Sequence, residues 1–155
     1  LMTVHAAGGT DMMSSAVKGA RKGAADVDLD AERPTVCAIT VLTSMDAAQL
    51  AAIGVQDEPA AEVERLAALA KESGLDGIVC SPKEAAQMRA LLGEDAVIIT
   101  PGVRPKGTAL GAQSRVSTPK KAFEAGASHL VIGRPITRAT DPVAAFDEIV
   151  ASLSE

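Results

Sequence analysis

Five short β-forming runs recur along this chain, separated by longer stretches with helical spacing, and that alternation constrains the fold more than any other feature. The runs are Met2–His5, Thr35–Leu42, Gly77–Cys80, Ala96–Thr100 and His129–Gly133. Most are apolar on successive residues instead of alternating with polar ones. Such runs belong to strands covered on both faces, as in a parallel sheet whose crossover helices pack above and below it.

The intervening segments carry helix signals. Asp11–Ala25 places Ala and Met at helical spacing. In Pro59–Ser73, Val63, Leu66, Ala67 and Ala70 share one face, and Glu62, Glu64, Arg65, Lys71 and Glu72 largely take the other. Gly74 is placed to end that helix. Ser81-Pro82, Thr118-Pro119 and Asp141-Pro142 each read as an N-cap followed by proline in the first helical position. Gly126 closes the second of these three helices, and the last runs to about Leu153. Asp26–Pro34 is polar and reads as a loop.

The pattern predicts five parallel βα units with right-handed crossovers. An open doubly wound sheet and a (β/α)8 TIM-type barrel both fit it. No strand is followed by the glycine fingerprint of a dinucleotide fold. A full barrel typically takes about 250 residues, so 155 residues hold only part of one. The chain opens directly onto its first strand, which reads as a piece of a longer protein. Residues 1–155 are expected to form one partial barrel domain.

Composition narrows the partners. Two Phe and no Trp or Tyr leave the core to Ala, Val, Leu and Ile, and deny the chain the aromatic platforms that single-stranded nucleic acids stack on. A net charge of −5 disfavours nucleic acid or an acidic membrane. It leaves a small anion open, because a phosphate responds to a few local groups. Cys37 and Cys80 lie in apolar runs and read as core residues of a reducing compartment. No apolar run approaches the ~18 residues of a membrane span. With no charged-then-apolar leader at the start, a cytoplasmic protein is the expectation.

The chemistry-bearing segments all follow strands, where barrel enzymes place their sites. Thr100-Pro101-Gly102-Val103-Arg104-Pro105 turns sharply and presents an Arg. The loop after it, Lys106 to Ala112, is rich in small residues, could close over a ligand and leads to Gln113; the alternative is a surface loop with a solvated Arg. Val131-Ile132-Gly133-Arg134-Pro135-Ile136 delivers a Gly that lets a backbone N–H approach an anion, then a guanidinium whose fork matches phosphate oxygens. An Arg simply capping the sheet rim fits equally well. Leu42-Thr43-Ser44-Met45-Asp46 offers hydroxyls either to a heterocycle edge or, as is commoner, to the N-cap of the next helix. His5 ends the first strand before Gly8-Gly9, a position more often structural than catalytic.

Taken in order, Thr3-Val4-His5-Ala6 with Gly8-Gly9, Leu42-Thr43-Ser44-Met45, Thr100 to Pro105, Gln113 with Arg115 and Thr118-Pro119, and Val131 to Ile136 resemble the orotidine 5′-phosphate decarboxylase family over nearly the whole chain. The resemblance implies a (β/α)8 barrel that converts orotidine 5′-monophosphate to UMP and CO2 without metal or organic cofactor. It implies Thr43 beside the pyrimidine and Arg104, Gln113, Gly133 and Arg134 on the substrate, with Gln113, Gly133 and Arg134 nearest the phosphate. Arg104 has a second possible role, ordering the loop that carries Gln113. It also implies a homodimer whose partner subunit contributes an Asp.

Two departures stand out. Ala112 occupies a position where the family often has an acidic residue. The family's catalytic run, Asp-x-Lys-x-x-Asp, is absent: none of the lysines of this sequence sits in one. In the family that run precedes the segment resembling Thr3 to Gly9, so three βα units and the catalytic array are expected upstream. Related sugar-phosphate barrels, of the hexulose-phosphate synthase and ketogulonate-phosphate decarboxylase types, share the anion-binding end but use a metal. A non-catalytic half-barrel that pairs through its open sheet edges is a further alternative.

Overall fold

The computed structural model describes residues 1–27, 33–104 and 117–153. Strands β1 (Met2–His5), β2 (Val36–Ile39), β3 (Gly77–Val79), β4 (Val97–Pro101) and β5 (His129–Val131) form one parallel sheet in the order β1-β2-β3-β4-β5. The helices are α1 (Gly9–Asp26), α2 (Ala47–Ala52), α3 (Pro59–Glu72), α4 (Ala85–Leu92), α5 (Pro119–Glu124), α6 (Arg134–Thr137) and α7 (Pro142–Ala151). Strand order decides between the two architectures the sequence left open. A doubly wound sheet reverses direction at a switch point, whereas these strands are laid down consecutively, as in a barrel wall.

One register row explains the core. Ala38, Ile78 and Ile98 are paired neighbours on β2, β3 and β4. They pack against Val63, Leu66, Ala67 and Ala70 of α3 and Met88 of α4. The alanines let α3 lie close to the sheet, which is how a core without aromatics there reaches full burial. Gly77 is obligatory: a Cβ at that position would sit 1.8 Å from the Val97 carbonyl oxygen.

Local signals held at most helix ends. Thr118 and Asp141 cap α5 and α7, each with proline following. Gly74, at φ 78°, ends α3 with Gly74 N bonding Lys71 O and Leu75 N bonding Ala70 O, the paired bonds of a Schellman ending.

Four expectations need correction. Ser81 does not cap α4, which starts at Ala85; a turn intervenes in which Ser81 N and Oγ both donate to the Glu84 carboxylate. The carboxylate is the stronger acceptor, so it takes over the role expected of the hydroxyl. Glu62, expected on the solvated face of α3, is buried and held bidentately by Arg65 at 2.8 and 2.6 Å. Helix α6, four residues long and too short to show periodicity, was not anticipated. Asp26, expected in a loop, is the last residue of α1.

The two sheet edges differ from the centre. Met2 on β1 and Val131 on β5 are half-exposed, and Val143, Phe146 and Val150 form an exposed apolar stripe on α7. No helix among the described residues is long and apolar enough to cross a membrane.

Candidate functional site

The C-terminal ends of the strands surround a cavity of about 330 Å³. Its walls are apolar over Ile39, Val41, Val79 and Pro101, with Cys80 at the end of β3. Thr43 and Ser44, after β2, and Arg134, after β5, supply its polar groups. β2 and β5 are three strand spacings apart, roughly 14 Å along the sheet. The cavity therefore suits an elongated ligand with an anionic end and a polar, otherwise flat end.

The polar groups are uncommitted. Among the described residues, the Arg134 guanidinium has no ion pair and no hydrogen bond, and neither hydroxyl of Thr43 or Ser44 has a partner. The N-cap role open to Thr43 and Ser44 belongs to Asp46. Its carboxylate accepts from Gln49 N at 2.9 Å, while Gln49 Oε1 accepts from Asp46 N at 3.3 Å. This reciprocal capping box leaves the two hydroxyls to the cavity.

Gly133 precedes Arg134 as the N-cap of α6. Its φ is −103° and a Cβ there would touch nothing within 4 Å. Among the described residues nothing crowds the Cα of Gly133, which leaves its backbone open to close approach.

Arg104 lies elsewhere. It is 8% exposed, does not line the cavity, and its buried Nε has no hydrogen-bond partner among the described residues. Its backbone N bonds Ser117 O at 2.9 Å beside a parallel bridge between Val103 and Ser117. Arg104 and Ser117, which flank residues 105–116, are thus held side by side. Gln113 belongs to that segment and lies outside the described residues. Of the residues singled out from sequence, the structure brings Thr43 and Arg134 to one cavity, with Gly133 adjoining; it does not bring Arg104 there. Ser44, whose hydroxyl the sequence offered with that of Thr43 either to a heterocycle edge or to a helix cap, also lines the cavity, and Cys80, expected as a core residue, forms part of its wall.

Burial pushes the Cys80 thiol up to about 12, with the negative charge of Glu84 adding to the effect. Burial likewise raises Cys37 to about 11, helped by Asp76. Both stay protonated near neutrality and act as packing groups, as their apolar surroundings suggested.

A second cavity, of about 290 Å³, opens at the opposite ends of the strands and includes Lys71, Asp76, Gly77 and Asp95. There the main charges are engaged. Arg33 holds Asp76 at 2.7 and 2.6 Å, Val36 N donates to the same carboxylate at 2.7 Å, and Lys71 Nζ donates to Leu91 O at 3.0 Å. That end is built as scaffold.

Fold and site first define a class: a (β/α)-barrel wall with its ligand cavity at the carboxyl ends of the strands. The chain belongs to the orotidine 5′-phosphate decarboxylase / HUMPS family, whose sequence profile matches residues 1–149. It is 48% identical over 154 residues to an orotidine 5′-phosphate decarboxylase of Pseudoalteromonas atlantica, covering 99% of this chain and 64% of that protein. It is 50% identical to that of Thermobifida fusca, covering 99% of this chain and 61% of that protein. It therefore spans under two thirds of the length of these relatives. Among solved structures, the orotidine 5′-phosphate decarboxylase of Lactobacillus acidophilus superposes with a TM-score of 0.81 at 38% identity, over 99% of this chain and 62% of that one. An uncharacterized conserved protein of Geobacillus kaustophilus gives 0.78 at 34%, over 98% of this chain and 63% of that one.

Proposed function

We propose that this chain is the substrate-gripping portion of an orotidine 5′-phosphate decarboxylase, acting in pyrimidine nucleotide synthesis on orotidine 5′-monophosphate to release UMP and CO2. The observation that carries the reading is the cavity in which Thr43 and Ser44 stand at one end and Arg134, unpaired among the described residues, at the other. A nucleoside monophosphate matches this layout: phosphate at Gly133 and Arg134, base edge at Thr43, ring and ribose against the apolar floor. Gln113 completes the phosphate grip from the loop whose ends Arg104 and Ser117 pin together, and Arg104 orders that loop.

The physical role of such a grip is to convert phosphate binding, remote from the reacting carbon, into closure and alignment at the base. The reacting groups themselves belong to an Asp-x-Lys-x-x-Asp run that this sequence lacks. In this reading residues 1–155 form one partial barrel domain. Three further βα units cover the edges of β1 and β5 and the apolar stripe of α7. The complete protein works in the cytoplasm as a homodimer, needs no cofactor, and takes an Asp from the partner subunit.

The test compares the chain alone with the chain supplied with a polypeptide carrying those three units from a relative. UMP formed from orotidine 5′-monophosphate is followed by absorbance. The chain alone yields none and the complemented barrel does. Turnover by the chain alone overturns this division of labour. A complemented barrel that needs a divalent metal and acts on sugar phosphates overturns the nucleotide substrate.

A further inference from the structure

We propose that Lys120, Lys121 and Arg138 steer a dianionic phosphate monoester toward Arg134, speeding its arrival without holding it once bound; this rests on the nucleotide reading above. Charge is divided along the chain more sharply than its total of −5 suggests. Residues 97–141, from the start of β4 to the cap of α7, hold seven Lys and Arg against Glu124 and Asp141, a net of +5. The other 110 residues hold eight Lys and Arg against eighteen Asp and Glu, a net of −10. An asymmetry of this size acts through the summed field and not through any one contact.

The parallel topology sorts these charges across the face that carries the cavity. Each crossover helix starts at that face, because the next strand begins at the opposite end. Past β1 and β2 stand Asp11, Asp46, Asp57 and Glu58, all exposed. Past β3, Lys83 and Glu84 balance. Past β4 and β5 stand Lys120 and Lys121 in the first turn of α5, and Arg134 and Arg138 at the two ends of α6. Glu124 lies at the far end of α5, and Asp141 is turned onto its own helix, accepting from Val143 N and Ala144 N at 3.0 Å. The potential therefore runs from negative to positive along the sheet, and the anionic end of an arriving ligand is drawn to the Arg134 side of the cavity. Helix energetics oppose this placement in α5. A first turn favours acidic residues, which α1 and α3 have in Asp11 and Glu62 and α5 lacks. Two lysines there call for a reason outside the helix. Lys120, Lys121 and Arg138 do not line the cavity, so their effect falls on the approach.

The experiment follows two-dimensional NMR line shapes through titrations of the chain with UMP, which give association and dissociation rates. A K120Q/K121Q/R138Q variant, shown folded by circular dichroism, is expected to associate about five- to tenfold more slowly at ~0.01 M ionic strength and to dissociate at the parent's rate. At ~1 M salt the two associate alike, the screening length having shrunk from about 30 Å to about 3 Å. R138Q alone shows the same effect in smaller measure, and K120R/K121R/R138K, which keeps the charges, matches the parent. Unchanged association of the neutralised variants at low salt overturns the inference. So does faster dissociation at unchanged association, because the residues then hold the ligand instead of guiding it. A parent that binds ribose 5-phosphate as tightly as UMP overturns the nucleotide reading, and the same rates measured on ribose 5-phosphate still decide the steering. A parent that binds neither defeats both.

Discussion

The two ends of the sheet are built from similar residue types but spend them differently. At the N-terminal end, Asp76, Lys71 and Arg89 are engaged within the chain. Asp76 is held by Arg33 and Val36 N, and Arg89 donates to Gly93, Glu94, Ala96 and Gly126 carbonyls and to Ser128 Oγ. That single guanidinium ties the end of α4 to the loops entering β4 and β5. At the C-terminal end, Arg134, Thr43 and Ser44 have no partners among the described residues. Polar groups satisfied within the chain fix a structure, whereas those open to solvent beside a cavity are free to meet a ligand. With the proposed function, the comparison divides stability and binding between opposite ends of the same strands, as barrels generally divide them.

Substitutions can break or sharpen this division. The largest effect is expected from Gly77→Ala at the N-terminal end: the new Cβ would overlap the Val97 carbonyl oxygen at 1.8 Å, and circular dichroism should show no cooperative folding. Arg89→Ala should follow, lowering unfolding free energy by about 2–4 kcal/mol in denaturant titrations, with the affinity of the surviving folded protein for UMP unchanged. Arg134→Ala should give the reverse pattern: affinity for UMP down about 10–100-fold and stability within about 0.5 kcal/mol of the parent. If Arg134→Ala destabilises the chain as much as Arg89→Ala does, the division between the two ends is wrong.

A smaller effect is expected from pH. Hydrogen bonding from Arg33, then from Val36 N, holds the Asp76 carboxyl below the usual carboxylate range despite partial burial. Its contribution is therefore complete above the unfolded-state value near 3.9 and is lost as pH falls through and below it. Thermal unfolding of Asp76→Asn should lie below the parent at pH 7, and the gap should narrow below about pH 4. The smallest effect is chemical: Cys80, raised to about 12 by burial, should resist thiol reagents at pH 8 until the protein unfolds. Rapid labelling of the native chain would show that the cavity wall is open where it is described as packed.

Much of the fold was legible because its signals are local. Continuous apolar runs marked strands buried on both faces, and Thr118, Asp141 and Gly74 marked helix ends through hydrogen bonds spanning only a few residues. Where a nearby group competed, the local reading failed: Glu84 displaced Ser81 as the acceptor before α4, and Asp46 displaced Thr43 and Ser44 as the cap of α2. Glu62 was misplaced because helical periodicity registers one face of α3, not the bidentate Arg65 that lets a carboxylate be buried beside it.

By itself, then, the sequence determined the alternation of parallel strands and helices, most helix boundaries, an aromatic-poor core, and the presence of Thr43, Gly133 and Arg134 at strand ends. Only the tertiary structure decided that the strands run β1 to β5 in order, that turns at the ends of β2 and β5 bring Thr43, Ser44 and Arg134 to one cavity, and that Arg104 stands apart from it. The reason is physical. Caps and periodicity depend on neighbours within one or two turns, whereas strand order and cavity lining follow from which apolar faces bury one another across the whole chain.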